Sequence, residues 1–328
     1  MTDAPHFIQS PEAARCVALP SRAFFGSWRD QTLPARRAAL AESERYFEQV
    51  AEDTDSTLRD MSLAALIADA VQPLEDLAHL GRAWDEPFGG LANYLRATAY
   101  SHRTATNFWG SIAKWDDERI KVFAGLYGRN PETGEPASMI PPEIETQLSA
   151  EQRAVIAVAE EATVRRLRIL LPSLGQDWRQ FSPYFNAFKH GGLIVNRDDI
   201  RWVADDVEEV TDETPTHDPS LAIWHLHQNE VVGKGDFNLT RLQVAYTAAR
   251  SGRLALDLLE CFIESRGGIF EAVDFAPDGS VERMRELTLP WTVWLAEGDL
   301  SADQWQILGR GPRIMWEEEH PSPGPQAS

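Results

Sequence analysis

The sequence predicts a mainly α protein: an antiparallel helical bundle with a small β-hairpin insertion and a short β-containing C-terminal extension. Three observations predict it. Apolar residues recur at i, i+3, i+4 spacing over long stretches, most clearly at Leu63, Leu66, Ile67, Ala70, Leu74, Leu77 and Leu80. Glycine and proline punctuate between these stretches, at Asp85-Glu86-Pro87-Phe88-Gly89-Gly90 and from Gly128 to Pro142. Strand-like runs of β-branched and aromatic residues are concentrated after Gly192 and in the tail beyond residue 268.

In order along the chain, residues 1–30 form an arm with Pro5, Pro11 and Pro20, in which Phe24, Phe25 and Trp28 can anchor on the main body. A helical domain is expected over 31–268. It opens with a helix from Leu33 to Thr57, carrying Leu40, Phe47 and Val50 on one face. A second helix spans Leu58 to Trp84 and contains Pro73, which removes a backbone donor and is expected to kink or divide it. A third runs from Leu91 to Trp109, and Asp116 and Asp117 cap a short fourth through Leu126. After the Gly128–Pro142 loop, a helix over 143–171 meets a capping-box pattern at Ser149-Ala150-Glu151-Gln152. A separate helix over 176–190 ends at Gly191-Gly192.

The β insertion is placed at 193–228, with a hairpin Leu193–Val203 turning at Asn196-Arg197-Asp198-Asp199 and a further strand at Ala222–His227. One strong helix returns over 239–266 and is expected to stop at Gly267-Gly268. The extension 269–328 has a strand-like run at Trp291–Leu295 and a Pro/Ser-rich end expected to be disordered.

Composition narrows function by exclusion. A chain of 328 residues with 43% hydrophobic and 25% charged residues can bury a full core. With 51 acidic residues against 31 basic, its formal net charge is −20. That field repels polyanions over most of the surface, so broad nucleic-acid binding is not expected and RNA could be held only at a local site. Cys16 and Cys261 stand far apart with no metal-ligand spacing, which points to a reducing compartment. Residues Met1–His6 lack the basic and apolar regions of a signal peptide, and no apolar run has bilayer length. A soluble cytoplasmic protein without membrane partners is therefore expected. There is no P-loop, Gly-x-Gly-x-x-Gly, His-Glu-x-x-His, Gly-x-Ser-x-Gly or Cys-x-x-Cys, so the corresponding nucleotide, zinc and serine-hydrolase classes fall away and no cofactor or metal is implied.

The stretch that carries chemistry is Trp178–Gly192. On a helix, Asn186 and His190 share a face, with Lys189 adjacent and Tyr184 and Arg179 on neighbouring turns. A histidine that exchanges a proton near neutrality beside a cation that stabilises developing charge could cleave a phosphodiester. The same residues also suit a plain helix end, with His190 favouring the macrodipole and Asn186 and Lys189 in solvent. Tyr184-Phe185-Asn186-Ala187-Phe188-Lys189-His190-Gly191 resembles the Tyr-Asn-x-x-Lys-His-Gly signature of some branches of the HEPN superfamily. Those are all-α bundles of prokaryotic defence, toxin–antitoxin and RNA-processing systems. A second similarity lies at Ala70–Ala78, where an acidic helix opens such bundles.

The resemblance implies a HEPN-like protein, with a homodimer and locally bound RNA as the partners it admits. The family's ribonucleases use an Arg, a polar residue, three variable positions and a His. Carried over, His190 takes the catalytic position and Asn186 the polar one, whereas the Arg position holds Phe185. The resemblance therefore favours a non-catalytic binding or regulatory module. The alternative is a metal-independent endoribonuclease in which Lys189 or Arg179 supplies a displaced cation.

Other constellations are weaker. Arg96 to His102 and Arg313 to His320 fit a loose Arg–His spacing at a frequency chance would give. His225 and His227 point the same way on a strand near His217 and Asp218, a pattern more often met on a plain surface than at a metal. The acid pairs Asp116/Asp117, Glu160/Glu161, Asp205/Asp206 and Glu208/Glu209 read as solvated faces.

Overall fold

The computed structural model describes residues 20–51, 56–84, 91–125, 127–129, 136–138, 148–189, 222–227, 230–235, 240–274 and 301–307. Over these residues the protein is mainly helical, and no helix is long and apolar enough to cross a membrane.

Proline shapes the first helical stretch. Helix α1 (Pro20–Ser27) continues through a π-turn at Trp28–Thr32 into α2 (Leu33–Val50). Pro34 has no N–H, and its ring crowds the carbonyl four residues back. Just before it the backbone widens, so that the Leu33 N–H bonds the Trp28 carbonyl. Helix α3 (Ser56–Trp84) runs unbroken past Pro73, so of the expected kink or division the division does not occur. Pro73 is buried among Ala70, Val71, Leu74 and Leu77. Packing on all sides there outweighs the roughly 3 kcal/mol that an interior proline costs a helix.

The single helix expected over 91–109 is two, α4 (Leu91–Ala99) and α5 (Ser101–Ser111), broken at Tyr100. Near the break Thr98 Oγ1 donates to the Leu95 carbonyl at 3.0 Å, a side-chain bond that competes with the helical ladder. Asp116 caps α6 (Asp117–Ala124) as its position predicts, its carboxylate accepting from the Arg119 N–H at 2.9 Å. The helix ends at Gly125, whose φ of 77° is the left-handed cap that glycine adopts without strain. Within the expected loop, β1 (Tyr127–Arg129) and β2 (Pro136–Ser138) pair antiparallel.

The Ser149 capping box forms as written: the Gln152 N–H donates to Ser149 Oγ at 3.0 Å, and the Ser149 N–H to Gln152 Oε1 at 2.9 Å. It starts α7 (Ala150–Lys189), one 40-residue helix where two were expected. Pro172, Gly175 and Pro183 all lie inside it, with buried Leu171, Leu174, Phe181 and Phe185 around them.

Strand β3 (Ala222–His227) occupies the predicted strand and pairs antiparallel with β4 (Glu230–Gly235), Ala222 opposite Gly235 and His227 opposite Glu230. The hairpin expected at 193–203 lies outside the described residues, so a β insertion over 193–228 is not established. Helix α8 (Arg241–Asp274) passes through Gly267-Gly268. Residues 269–274, expected in the β-containing extension, are thus helical, and so is α9 (Ala302–Ile307). Glycine weakens a helix by about 1 kcal/mol but stops it only where the chain must turn left-handed. The run at 291–295 lies outside the described residues.

The chain divides into two compact units. The first comprises Met1–Pro34, Leu77–Pro172 and Asp257–Ser328. Its interior is built from rings. Phe24 stacks on Trp84 at 5.8 Å and meets Tyr94 edge-on at 4.9 Å, which is the anchoring expected of the arm. Trp84 meets Phe262, Phe262 meets Phe123, and Phe108 meets Trp109 and Trp115. A methyl group on Gly81 would lie 2.6 Å from the Phe108 ring, so the glycine lets α3 and α5 approach.

The second unit comprises Ala35–Asp76 and Ser173–Leu256, and so takes parts of α2, α3, α7 and α8. Leu40, Phe47, Leu63, Leu66, Ile67, Leu74, Trp178, Phe181 and Ala248 fill its core. A methyl group on Gly252 would fall 2.8 Å from Ala70 Cα, a near contact of the α8 and α3 backbones.

Candidate functional site

Trp178, Phe181 and Phe185 follow one another at spacings of three and four and are all buried, so this stripe fixes the rotation of α7 in the second unit. Arg179, Phe188 and Lys189 are consequently exposed, and Tyr184 and Asn186 are half-buried. Asn186 Nδ2 donates to the Ser182 carbonyl of its own helix at 2.8 Å. Lys189 Nζ lies 3.0 Å from Glu75 Oε2 and 5.1 Å from the centre of the Phe185 ring. His190 and the glycine pair lie outside the described residues. Of the predicted site, Asn186, Lys189, Arg179 and Tyr184 thus share the last turns of one helix, and Lys189 reaches across to another.

What it reaches is a pair of adjacent acids. Glu75 and Asp76 are 1% and 5% exposed, inside the apolar run of α3. Gln72 Nε2 donates to both carboxylates, at 3.2 Å to Glu75 and 2.9 Å to Asp76. Arg36 Nε of α2 completes the group at 3.0 Å from Asp76 Oδ2. Two carboxylates therefore face two cations through a shared amide. Burial pushes the Asp76 carboxyl up to about 6; the Arg36 charge and the Gln72 hydrogen bond pull it down, and the Glu75 charge adds to the rise.

Further ties join the same unit. Arg241 donates to Asp60 Oδ1 at 2.7 and 3.0 Å, Arg253 pairs with Glu44, and Ser43 donates to Asp69. Ser251 Oγ donates to Asp177 Oδ2 at 2.5 Å, and burial raises the Asp177 carboxyl against that bond and the Arg250 charge.

Arg36, Gln72, Glu75 and Asp76 were not singled out as site residues from the sequence. The available signal was position: Leu74-Glu75-Asp76-Leu77 sets two acids in the strongest apolar rhythm of the chain, and a buried carboxylate must find donors. Lys189 and Glu75 thereby tie the end of α7 to the middle of α3.

The remaining candidates separate. His102 is exposed, while the Arg96 side chain, Arg313 and His320 lie outside the described residues, as do the side chains of His225 and His227. No cluster of metal-binding side chains occurs among the described residues. Within the first unit three acids of the adjacent acid pairs have partners: Asp116 caps α6, Asp117 lies 2.6 Å from Arg168, and Glu160 lies 3.9 Å from Lys121.

No family model, no curated protein and no solved structure matches this chain.

Proposed function

We propose that the chain is a HEPN-like helical bundle acting as a non-catalytic binding or regulatory module, of the kind used in prokaryotic defence and stress response. The observation that carries this reading is the ion pair of Lys189 with buried Glu75. A cation meant for a scissile phosphate has to be available when the phosphate arrives. Lys189 is already neutralised by an acid, and an anionic substrate would have to displace that acid. Phe185, at the position of the family's catalytic Arg, is 3% exposed and fills core. Asn186 bonds its own helix. Pairing of two copies belongs to the same reading and is measurable by sedimentation.

Incubation of the purified full chain with mixed cellular RNA, without metal, tests the reading. Wild type and His190→Ala are expected to leave RNA intact to the same degree. Cleavage by wild type that disappears in His190→Ala would overturn it and establish a ribonuclease with a displaced cation. Phe185→Arg, checked for folding by circular dichroism, asks whether restoring the missing cation is enough to confer cleavage.

A further inference from the structure

We infer that Asp76 and Arg36 form a proton-operated latch between α3 and α2 of the second unit: charged Asp76 holds Arg36, and protonated Asp76 lets it go. The inference goes beyond the proposed function and does not depend on what the module binds.

The geometry supplies three requirements of such a device. The first is a carboxyl that water cannot stabilise: the Asp76 side chain is 7% exposed, whereas that of its partner Arg36 is 37% exposed. When the pair opens, the guanidinium can turn into solvent at little cost, but the carboxylate cannot follow. The second is a like charge next door. Glu75 is held by Lys189 of α7 at 3.0 Å and stays beside Asp76, so the first proton to arrive relieves repulsion between neighbours. The third is a neighbour that can accommodate both states. Gln72 now donates from Nε2 to both carboxylates. Turned over, its amide oxygen can accept from a protonated Asp76, so protonation need not strand a buried donor.

Among the described residues, the charged groups around Asp76 are Arg36 from α2, Glu75 on α3 itself, and Lys189 from α7 acting on Glu75. On α8, Arg253 is engaged with Glu44, and Arg250 acts on Asp177. Further along α3, in the first unit, His79 lies 3.3 Å from the Ser101 carbonyl through Nε2. Burial is the main reason that the Asp76 carboxyl sits near 6, which puts the change within reach of physiological acidification.

Linkage fixes the sign. A carboxyl raised from 3.8 to about 6 on folding gives stability that is fully present below 3.8 and is lost as pH rises through about 6. Between pH 7.5 and 5 the unfolding constant of wild type should therefore fall about tenfold relative to Asp76→Asn, which lacks the group. Over the same range, amide exchange at the start of α2, corrected for its intrinsic pH dependence, should speed up in wild type as Arg36 is released. Equal pH slopes in the two proteins, or a stability change without faster α2 exchange, would overturn the latch. Should Asp76→Asn fail to fold, the carboxyl ¹³C shift of Asp76 decides in wild type. A midpoint near 6 that rises in Arg36→Gln is expected; a midpoint below 4.5, or one indifferent to Arg36, would refute it.

Discussion

The two units bury different chemistry. In the first, Trp84, Phe123 and Phe262 form a chain of ring contacts, and the ion pairs Asp117–Arg168 and Lys121–Glu160 stand at the surface or half-buried. In the second, Asp60, Glu75 and Asp76 lie buried on α3 and are met by Arg241, Lys189 and Arg36 from three other helices. Among the described residues, every buried carboxylate belongs to the second unit. Rings contribute through area and shape, which pH and salt hardly touch. Buried carboxylates depend on their partners and on protonation. One region should therefore behave as a fixed mass, and the other as a region that conditions can loosen.

Removing a ring is the largest test. Phe262→Ala is expected to destabilise the protein by about 3–5 kcal/mol in chemical denaturation, equally at pH 5 and pH 7.5. A loss that changes with pH would blur the contrast between the units. In the second unit Gly252→Ala would place its methyl against the α3 backbone at Ala70 and should cost about 1–3 kcal/mol. Unchanged stability would mean that α8 and α3 can separate without penalty. Asp116→Ala removes the α6 cap and should cost about 1 kcal/mol, seen as faster amide exchange in the first turn of that helix. At the lower end, Arg45→Gln breaks the exposed pair with Glu42 and should leave the denaturation midpoint unchanged, because solvent already screens it.

Much of the fold was legible because local signals agreed with packing. The Asp116 cap, the Ser149–Gln152 box and the apolar rhythm of α3 act within a turn or two, and each forms where the residues place it. Helix breakers acted less than their local cost predicts. Pro73 lies inside a helix, and Gly267-Gly268 does not end one. Their cost of a few kcal/mol is local, while the burial that offsets it comes from residues distant in sequence. At Tyr100 the reverse holds: the residues predict a continuous helix, and the chain breaks without a Gly or Pro.

The candidate site was half legible. Lys189 and Asn186 could be placed on one helix from spacing alone. That the lysine is engaged by Glu75, 114 residues away, is a tertiary fact that no local pattern encodes. The same holds for Arg36, whose partner Asp76 is 40 residues on.

The engagement of Lys189 by Glu75 is measured by a double-mutant cycle with Glu75→Gln and Lys189→Met, read by urea denaturation at pH 7.5. A coupling of about 1 kcal/mol is predicted, below that of a fully buried pair because the lysine side chain remains 39% exposed. Additive effects of the two substitutions would contradict it: Lys189 would then be an unengaged cation, available to an anionic substrate.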